Sequence, residues 1–564
     1  MKRFLVSLLI LSWSIAAYAQ LSPEMDAYLK EFPQRAAFNT HSYEFLPIKD
    51  TPAPSGFKPF YISHYGRHGS RSHGSDKTIA KLRDRLKKAS SKGLLTPAGD
   101  SLLAYADKLV KLHDGMDGRL TPRGAREHEQ LAERMFKRYP AVFRSGKEVH
   151  ALSSVVPRCL VSMSAFTSSL KACKPDLTIT WDSGEKYQRF ISRSSGDSLT
   201  LMVKNITYGE LTAVPYDTMA VFTRLFKDPA QGKKIYSKPA SFVGAIFTTA
   251  QIAEAFDINE NLFSFLPWDA VTSIYARHAL SAYLRQCNSA PFGDIRMPRA
   301  QLLGQEIIDR ADEAIAGAPV AANLIFGHDW PFLGICSYFG LEGYGYPRLS
   351  PEEAFRSWNG ARLCPFAANL QLIFYKNRKG EVLVKFLANE QETLIPELEA
   401  YSGPYYRWVD VKNYVAKNNT NPIMKKEKKT AKPEGFVLEH PAIDVADPVA
   451  TAAWWCENLG FTITRQKDDE THTTFLVDAS GRIAIEMYRA RTQPQAPDYA
   501  SMDPLTLHFG FISKDVDADI ARLVKAGATL VVHEKAPGFD GAMMRDPSGI
   551  PIQFVKREQS VLLK

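Results

Sequence analysis

Pro59-Phe60-Tyr61-Ile62-Ser63-His64-Tyr65-Gly66-Arg67-His68-Gly69-Ser70-Arg71 is the stretch on which the reading of this chain turns. It opens as a β-prone run and stops at Gly66, then passes into a loop in which arginines flank His68 and Gly69. Two further short apolar runs follow the same plan. Val149–Ser153 precedes Pro157-Arg158, and Asn323–Phe326 runs into Gly327, His328 and Asp329. Between the first two lies Leu120-Thr121-Pro122-Arg123-Gly124. Thr121 suits a helix N-cap and Pro122 a first turn, and the residues to about Arg138 are amphipathic. Strands followed by helices predict an α/β sheet. Residues from about 165 to 320 are mixed and Pro-rich, which predicts a mostly helical insertion.

The three post-strand groups carry the chemistry. An open α/β sheet gathers ligands just past the carboxyl ends of its strands. There Arg67, Arg71, Arg158, His68, His328 and Asp329 can converge. Arginine forks match phosphate oxygens two at a time and neutralise the charge spread over them during transfer. An imidazole nitrogen can take the phosphoryl group, and a carboxylic acid can protonate the departing alkoxide. Gly69 allows a close backbone approach beside the imidazole. His64, His73, His113 and His128 lack such company and read as surface or packing residues, and Arg123 reads as facing solvent or, as the alternative, reaching the rim of the phosphate pocket.

In this order the motifs resemble the histidine acid phosphatases, the family of the phytases and the multiple inositol polyphosphate phosphatases. Arg67-His68-Gly69-Ser70-Arg71 stands where the family has RHGxRxP, Leu120–Gly124 resembles its LTxxG helix start, and His328-Asp329 resembles its C-terminal HD. The resemblance covers about residues 50–400. It implies an α/β phosphoglycerate mutase-like sheet with a helical insertion, and no cofactor. It implies His68 as nucleophile, Asp329 as proton donor, and Arg67, Arg71, Arg158 and His328 as phosphate ligands. Ser72-His73 replaces the family's proline after the second arginine. The inositol polyphosphate phosphatases usually carry His-Ala-Glu where this chain has His328-Asp329-Trp330, which is nearer the bacterial phytases and glucose-1-phosphatases. The mutase branch shares the Arg-His-Gly start but is usually cytosolic and lacks the large insertion.

The 564 residues exceed one ordinary core, and 45% hydrophobic with 23% charged composition excludes a disordered or fibrous chain. Lys2 and Arg3, the apolar run Phe4–Ala17 and Ala17-Tyr18-Ala19 predict a signal peptide over 1–19 and a secreted or periplasmic protein. No later segment offers a membrane span. Export permits disulfides, but Cys159, Cys173, Cys287, Cys336, Cys364 and Cys456 form no CxxC pair and fix no connectivity; Cys456 reads as core. A polar, lysine-rich linker over 416–435 separates a phosphatase domain, 20–415, from a C-terminal domain, 436–564. The C-terminal part carries 13 Lys and Arg against 18 Asp and Glu, a net of −5, and since the whole chain is +9, residues 1–435 carry +14. A basic domain suits an anionic substrate. No nucleic-acid motif accompanies it.

The C-terminal part reads as two βαβββ modules. The first has strands at Phe436–Val445, near Phe461, Thr473–Val477 and Arg482–Tyr488, with a helix at Pro448–Leu459. The second has strands at Leu505–Ile512, near Thr529, Ala542–Met544 and Pro551–Val555, with a helix at Val516–Ala526. Ala452–Phe461 and Asp546–Gln553 resemble segments of the vicinal oxygen chelate family, which includes glyoxalase I and the bleomycin-resistance proteins. That resemblance implies an α+β domain of paired modules. It also implies a divalent metal (Fe, Mn, Ni or Zn) held by His440, Glu486, His508 and Gln553, or a metal-free binding module, and pairing into a homodimer through this domain. Gln553 stands where the family has a glutamate.

The sequence therefore predicts an exported phosphomonoesterase working through a phosphohistidine, with inositol polyphosphates such as phytate as the attractive substrates. Its alternatives are a broad-specificity acid or sugar phosphatase, a non-catalytic phosphate-ester binder, and a chain whose main enzyme is the C-terminal domain.

Overall fold

Burial locates the first sheet. From Tyr61 onward β1 (Lys58–Arg67) is buried along its length, as are β4 (Val320–Gly327) and β5 (Asn369–Lys376) up to Lys376. Strands buried on both faces belong in the middle of a sheet covered by helices. The computed structural model, which describes residues 20–191, 198–212, 216–418, 440–481, 483–491 and 496–557, places them there. The remaining strands of this sheet are β2 (Glu148–Ser153), β3 (Ile179–Ser183), β6 (Val382–Ala388), β7 (Gln391–Thr393) and β8 (Tyr405–Arg407). The order is β3-β2-β4-β1-β5-β6-β7, with β8 against β6. β3, β2, β4 and β1 run parallel, and β5 turns antiparallel to β1.

The register positions the site. Arg67 pairs with Gly327 and Ser153 with Phe326. The neighbouring strands β2, β4 and β1 therefore end level, and the segments that begin at Ser154, His328 and His68 emerge side by side.

The Pro122–Arg138 helix has the expected bounds, with Thr121 Oγ1 accepting the Gly124 N–H. The insertion is helical in every described element between Glu185 and Ala316, but β3 lies inside the range expected to be helical. Its core also takes in earlier helices: Leu82 and Leu102, from Lys77–Ser90 and Pro97–His113, pack with Phe222, Phe242 and Phe263. All six cysteines are free thiols. Among the described residues no helix is long and apolar enough to cross a membrane.

The chain divides into two compact units, one before and one after residues 419–439. The last helix of the first unit, Trp408–Asn418, runs three residues into the stretch expected to be linker; the rest of that stretch, and the signal segment 1–19, lie outside the described residues. The second unit contains both expected modules. In the first, β9 (Ala442–Asp444), the helix Pro448–Leu459, β10 (Thr462–Gln466), β11 (Thr474–Val477) and β12 (Ala484–Tyr488) give the order β10-β11-β12-β9. In the second, β13 (Phe509–Ile512), the helix Val516–Lys525, β14 (Thr529–Ala536), β15 (Phe539–Arg545) and β16 (Pro551–Arg557) give β13-β16-β15-β14. In both, the first strand lies parallel to the last. Trp455, Leu476, Met544 and Ile552 share one core, and Cys456 packs at its margin, only partly buried. The strand expected from Leu505 starts only at Phe509, because Asp503 caps a turn by accepting the Leu505 N–H.

Two buried histidine sets make the stability of the first unit depend on pH. His41 sits between Glu254 and Glu44, 2.8 Å from each. Burial opposes its charge, but the two carboxylates outweigh it and raise its pKa to about 9. This stability is fully present below the ordinary histidine pKa and is lost as pH rises through about 9. His64 and His128 are buried among Phe166 and Phe326. Burial lowers both to about 3, so their contribution is present above the ordinary histidine pKa and drains away as pH falls towards 3. Thermal unfolding followed from pH 4 to 10 should show Tm falling on both sides. His41→Gln should flatten the alkaline limb and His64→Phe the acid limb; unchanged limbs in both variants contradict this assignment.

Candidate active site

Each expected residue of the site is placed by an element end. Arg67 is the last residue of β1 and is 1% exposed. Its Nη1 donates to the carbonyls of Asn39 (2.7 Å), Pro365 (2.8 Å) and Cys364 (3.1 Å), and its Nη2 lies 3.4 Å from Asp329 Oδ2. His68 follows at once. Its backbone is pinned to both neighbouring strands' loops, His68 N to Gly327 O at 3.0 Å and Ala367 N to His68 O at 3.0 Å. Arg158 lies in the first turn of the Pro157–Cys173 helix, after β2. His328 caps the Asp329–Tyr338 helix after β4, and Asp329 opens it.

The electrostatics favour a neutral imidazole. His68 Nδ1 lies 3.0 Å from Gly69 O. A carbonyl only accepts, so Nδ1 carries the proton and Nε2 keeps its lone pair. Burial, and then the charges of Arg67, Arg71 and Arg158, hold the His68 pKa well below the ordinary histidine value. The ring stands 5.7 Å from that of His328. His328 Nε2 is 3.2 Å from Ser154 Oγ and its Nδ1 is 3.4 Å from Arg158 Nη2. Tyr65 Oη accepts the His328 N–H at 3.0 Å, which ties β1 to β4 at this point. The Cys159 thiol also packs against His328; burial pushes it up to about 12, so it is no nucleophile. Asp329 Oδ2 accepts the Asn39 amide at 2.9 Å and Oδ1 the Trp330 N–H at 3.1 Å. The structure thus brings Arg67, His68, Arg158, His328 and Asp329 together, with Arg71 three residues beyond His68 and bridged to Leu120.

A second layer holds this loop, and the sequence reading missed it. A Cβ on Gly69 would lie 2.3 Å from Gly124 O, and one on Gly124 2.2 Å from Ser70 O. The loop and the helix start therefore touch backbone to backbone, which only paired glycines permit. The Ser70 carbonyl accepts the Thr121 N–H (2.9 Å) and hydroxyl (3.0 Å). Glu127, buried one turn further along that helix, accepts the Ser70 N–H at 2.7 Å, the Ser70 hydroxyl at 2.6 Å and the Tyr43 N–H at 3.2 Å. In sequence Glu127 looks like one more charge on a polar helix face. Arg123 is not a solvent residue: it reaches Glu254 at 3.2 Å and Asn259 at 3.1 Å, and so ties this helix to the insertion. His113 is a buried packing residue, and His73 is partly buried, its Nε2 3.2 Å from the Thr248 carbonyl oxygen.

Residues 66–213 match the model of the histidine phosphatase superfamily (branch 2), and residues 440–555 match that of the glyoxalase-like domain. The chain joins a histidine phosphatase domain to a glyoxalase-like domain. Multiple inositol polyphosphate phosphatase 1 of Gallus gallus is 27% identical over 397 residues, 64% of this chain and 82% of the relative. Among solved structures, the multiple inositol polyphosphate phosphatase of Bifidobacterium longum in complex with inositol hexasulfate is similar with TM-score 0.55 at 16% identity, over 68% of this chain and 98% of that one. The phytase from D. castellii gives 0.50 at 15%, over 68% and 85%. At such identities the structural likeness speaks for the fold.

The glyoxalase-like unit was expected to gather four metal ligands. His440 and Glu486 do meet, with Nε2 3.4 Å from Oε2. His508 is exposed just before β13, and Gln553 lies in β16 opposite Gly510. Among the described residues no three His, Cys, Asp or Glu side chains are grouped to hold a metal ion. Of the expected set, His440 and Glu486 form a pair. Asp546, in the segment that carried part of the resemblance, has a structural task. It accepts the N–H groups of Ser548 and Ile550 and the Trp455 indole N–H.

The glycine contact in the phosphatase unit gives a direct test. Gly69→Ala must push the Gly124 backbone away, so phosphatase kcat/KM should fall at least about a hundredfold, with about 1–3 kcal/mol lost from stability. Retention of wild-type activity shows that the contact does not shape the loop.

Proposed function

We propose that the N-terminal unit is an exported phosphomonoesterase that acts through a phosphohistidine at His68, with inositol polyphosphates as its substrate class. The observation that carries this is His68 itself, a buried neutral imidazole whose Nδ1 proton is engaged by Gly69 O, set among the guanidinium groups of Arg67, Arg71 and Arg158. The Nε2 lone pair attacks phosphorus, and the N–P bond forms as the ester P–O bond breaks. Asp329 gives its proton to the departing alkoxide oxygen. A water oxygen then attacks phosphorus, its proton passes to the Asp329 carboxylate, the N–P bond breaks and inorganic phosphate leaves. The arginines and His328 hold the phosphoryl oxygens as charge develops on them.

The substrate class is supported by the net +14 of residues 1–435, which draws a polyanion, and by the relatives named as inositol polyphosphate phosphatases and phytase. Export is supported by Lys2, Arg3, the apolar run Phe4–Ala17 and Ala17-Tyr18-Ala19.

Phosphate release from inositol hexakisphosphate and from p-nitrophenyl phosphate tests the reading. The wild-type chain should prefer the inositol ester by kcat/KM, and His68→Ala should lose at least about a thousandfold on both. Because the His68 pKa lies well below the ordinary histidine value, the free enzyme's activity should persist as pH falls below the ordinary histidine range. Equal kcat/KM on the two esters removes the substrate assignment, and a fully active His68→Ala removes the mechanism.

A further inference from the structure

Phe38 has φ 55° and ψ −120°, and it interrupts the short 3-10 run Pro33–Thr40. A bulky L-residue avoids positive φ and stays there only where its surroundings hold it. Here they hold it on both sides. Before it, Arg35 is bound by Glu31 at 2.6 Å, by Glu44 at 2.8 and 2.9 Å, and by Tyr28 O at 2.9 Å. After it, His41 bridges Glu254 and Glu44, Ser42 N donates to Glu254 at 3.0 Å, and His41 O accepts the Phe366 N–H at 2.8 Å. The Phe38 ring packs against Tyr275 and Trp358.

What the strained turn produces is the direction of Asn39. Its Nδ2 donates to Asp329 Oδ2 at 2.9 Å, across 290 residues of sequence, and its carbonyl accepts Arg67 Nη1 at 2.7 Å. Arg67 Nη2 also points at Asp329 Oδ2, but from 3.4 Å, while its Nη1 is given over to three carbonyls. The Trp330 N–H fixes the other carboxyl oxygen at 3.1 Å. A proton donor must present its oxygen within hydrogen-bond reach of the leaving atom, and a misplacement of about 1 Å can cost about a hundredfold. The side-chain hydrogen bond of Asn39 among the described residues is the one to Asp329.

We propose that Asn39 is a positioning residue for phosphoester cleavage, whose amide holds the Asp329 carboxyl in the orientation from which it protonates the leaving oxygen. The inference rests on Asp329 being the proton donor. The backbone strain at Phe38 is what brings the amide to it.

The test compares leaving groups. An alkyl alkoxide needs a proton to depart, whereas p-nitrophenolate scarcely does. For the full chain, kcat/KM on glycerol 2-phosphate divided by that on p-nitrophenyl phosphate is a ratio taken within one preparation, so partial misfolding cancels. Asn39→Ala should lower this ratio by about 10- to 100-fold, and Asp329→Asn by more. Asn39→Asp sets a second carboxyl against Oδ2, so the pair shares a proton and the basic limb of the alkyl-ester pH profile should move to higher pH. If Asp329→Asn lowers the ratio but Asn39→Ala leaves it unchanged, the role of Asn39 is overturned while the acid stands. If Asp329→Asn leaves the ratio unchanged, the assignment of the acid itself falls.

Discussion

Everything at the site depends on a carboxylate that has no part in the chemistry. Glu127 is buried beneath the loop between His68 and Arg71 and is shared by two backbone N–H groups and one hydroxyl. Burial raises its pKa, and the hydrogen bonds from Ser70 and Tyr43 oppose that rise. With the Gly69–Gly124 backbone contact, it binds the end of β1 to the start of the Pro122–Arg138 helix. Without that clamp, the arginines flanking His68 would sit on a free loop. The two like charges there would repel one another before any phosphate arrived.

The sheet supplies the rest of the arrangement. Three adjacent parallel strands end level, so the imidazole, Arg158 of the Pro157–Cys173 helix and the carboxyl of the Asp329–Tyr338 helix converge from one direction. Asp329 and His328 stand at a helix N-terminus, where backbone N–H groups and the helix dipole favour negative charge. The site thus combines fixed guanidinium groups with a fixed dipole, and little has to move as charge develops on the phosphoryl oxygens.

The parts of this site legible in the sequence are those whose meaning is local. Arg67 to Arg71, Thr121 to Gly124 and His328-Asp329 each lie within a few residues and follow a strand or open a helix, so pattern and spacing carry them. Asn39, Glu127 and Ser154 act across long separations and sit in unremarkable surroundings, Asn39 at 290 residues from its partner. The paired modules of the second unit were legible for the same reason as the first motifs, through periodicity and turn residues. Whether His440, Glu486, His508 and Gln553 converge depends on how strands pair, which the sequence does not print; the structure pairs His440 with Glu486. Arg123 looked like a solvent cation because nothing in its neighbourhood announces Glu254, which lies at the end of a helix in the insertion.

The central claim is that His68 carries the phosphoryl group. Phosphohistidine survives alkali, so the direct measurement is rapid mixing of enzyme with p-nitrophenyl phosphate, an alkaline quench within the first turnover, and peptide mapping by mass spectrometry. The account predicts one added phosphoryl group on the peptide containing His68, absent from His68→Ala. A phosphoryl group on another residue, or burst release of p-nitrophenol with no phosphorylated peptide, contradicts it.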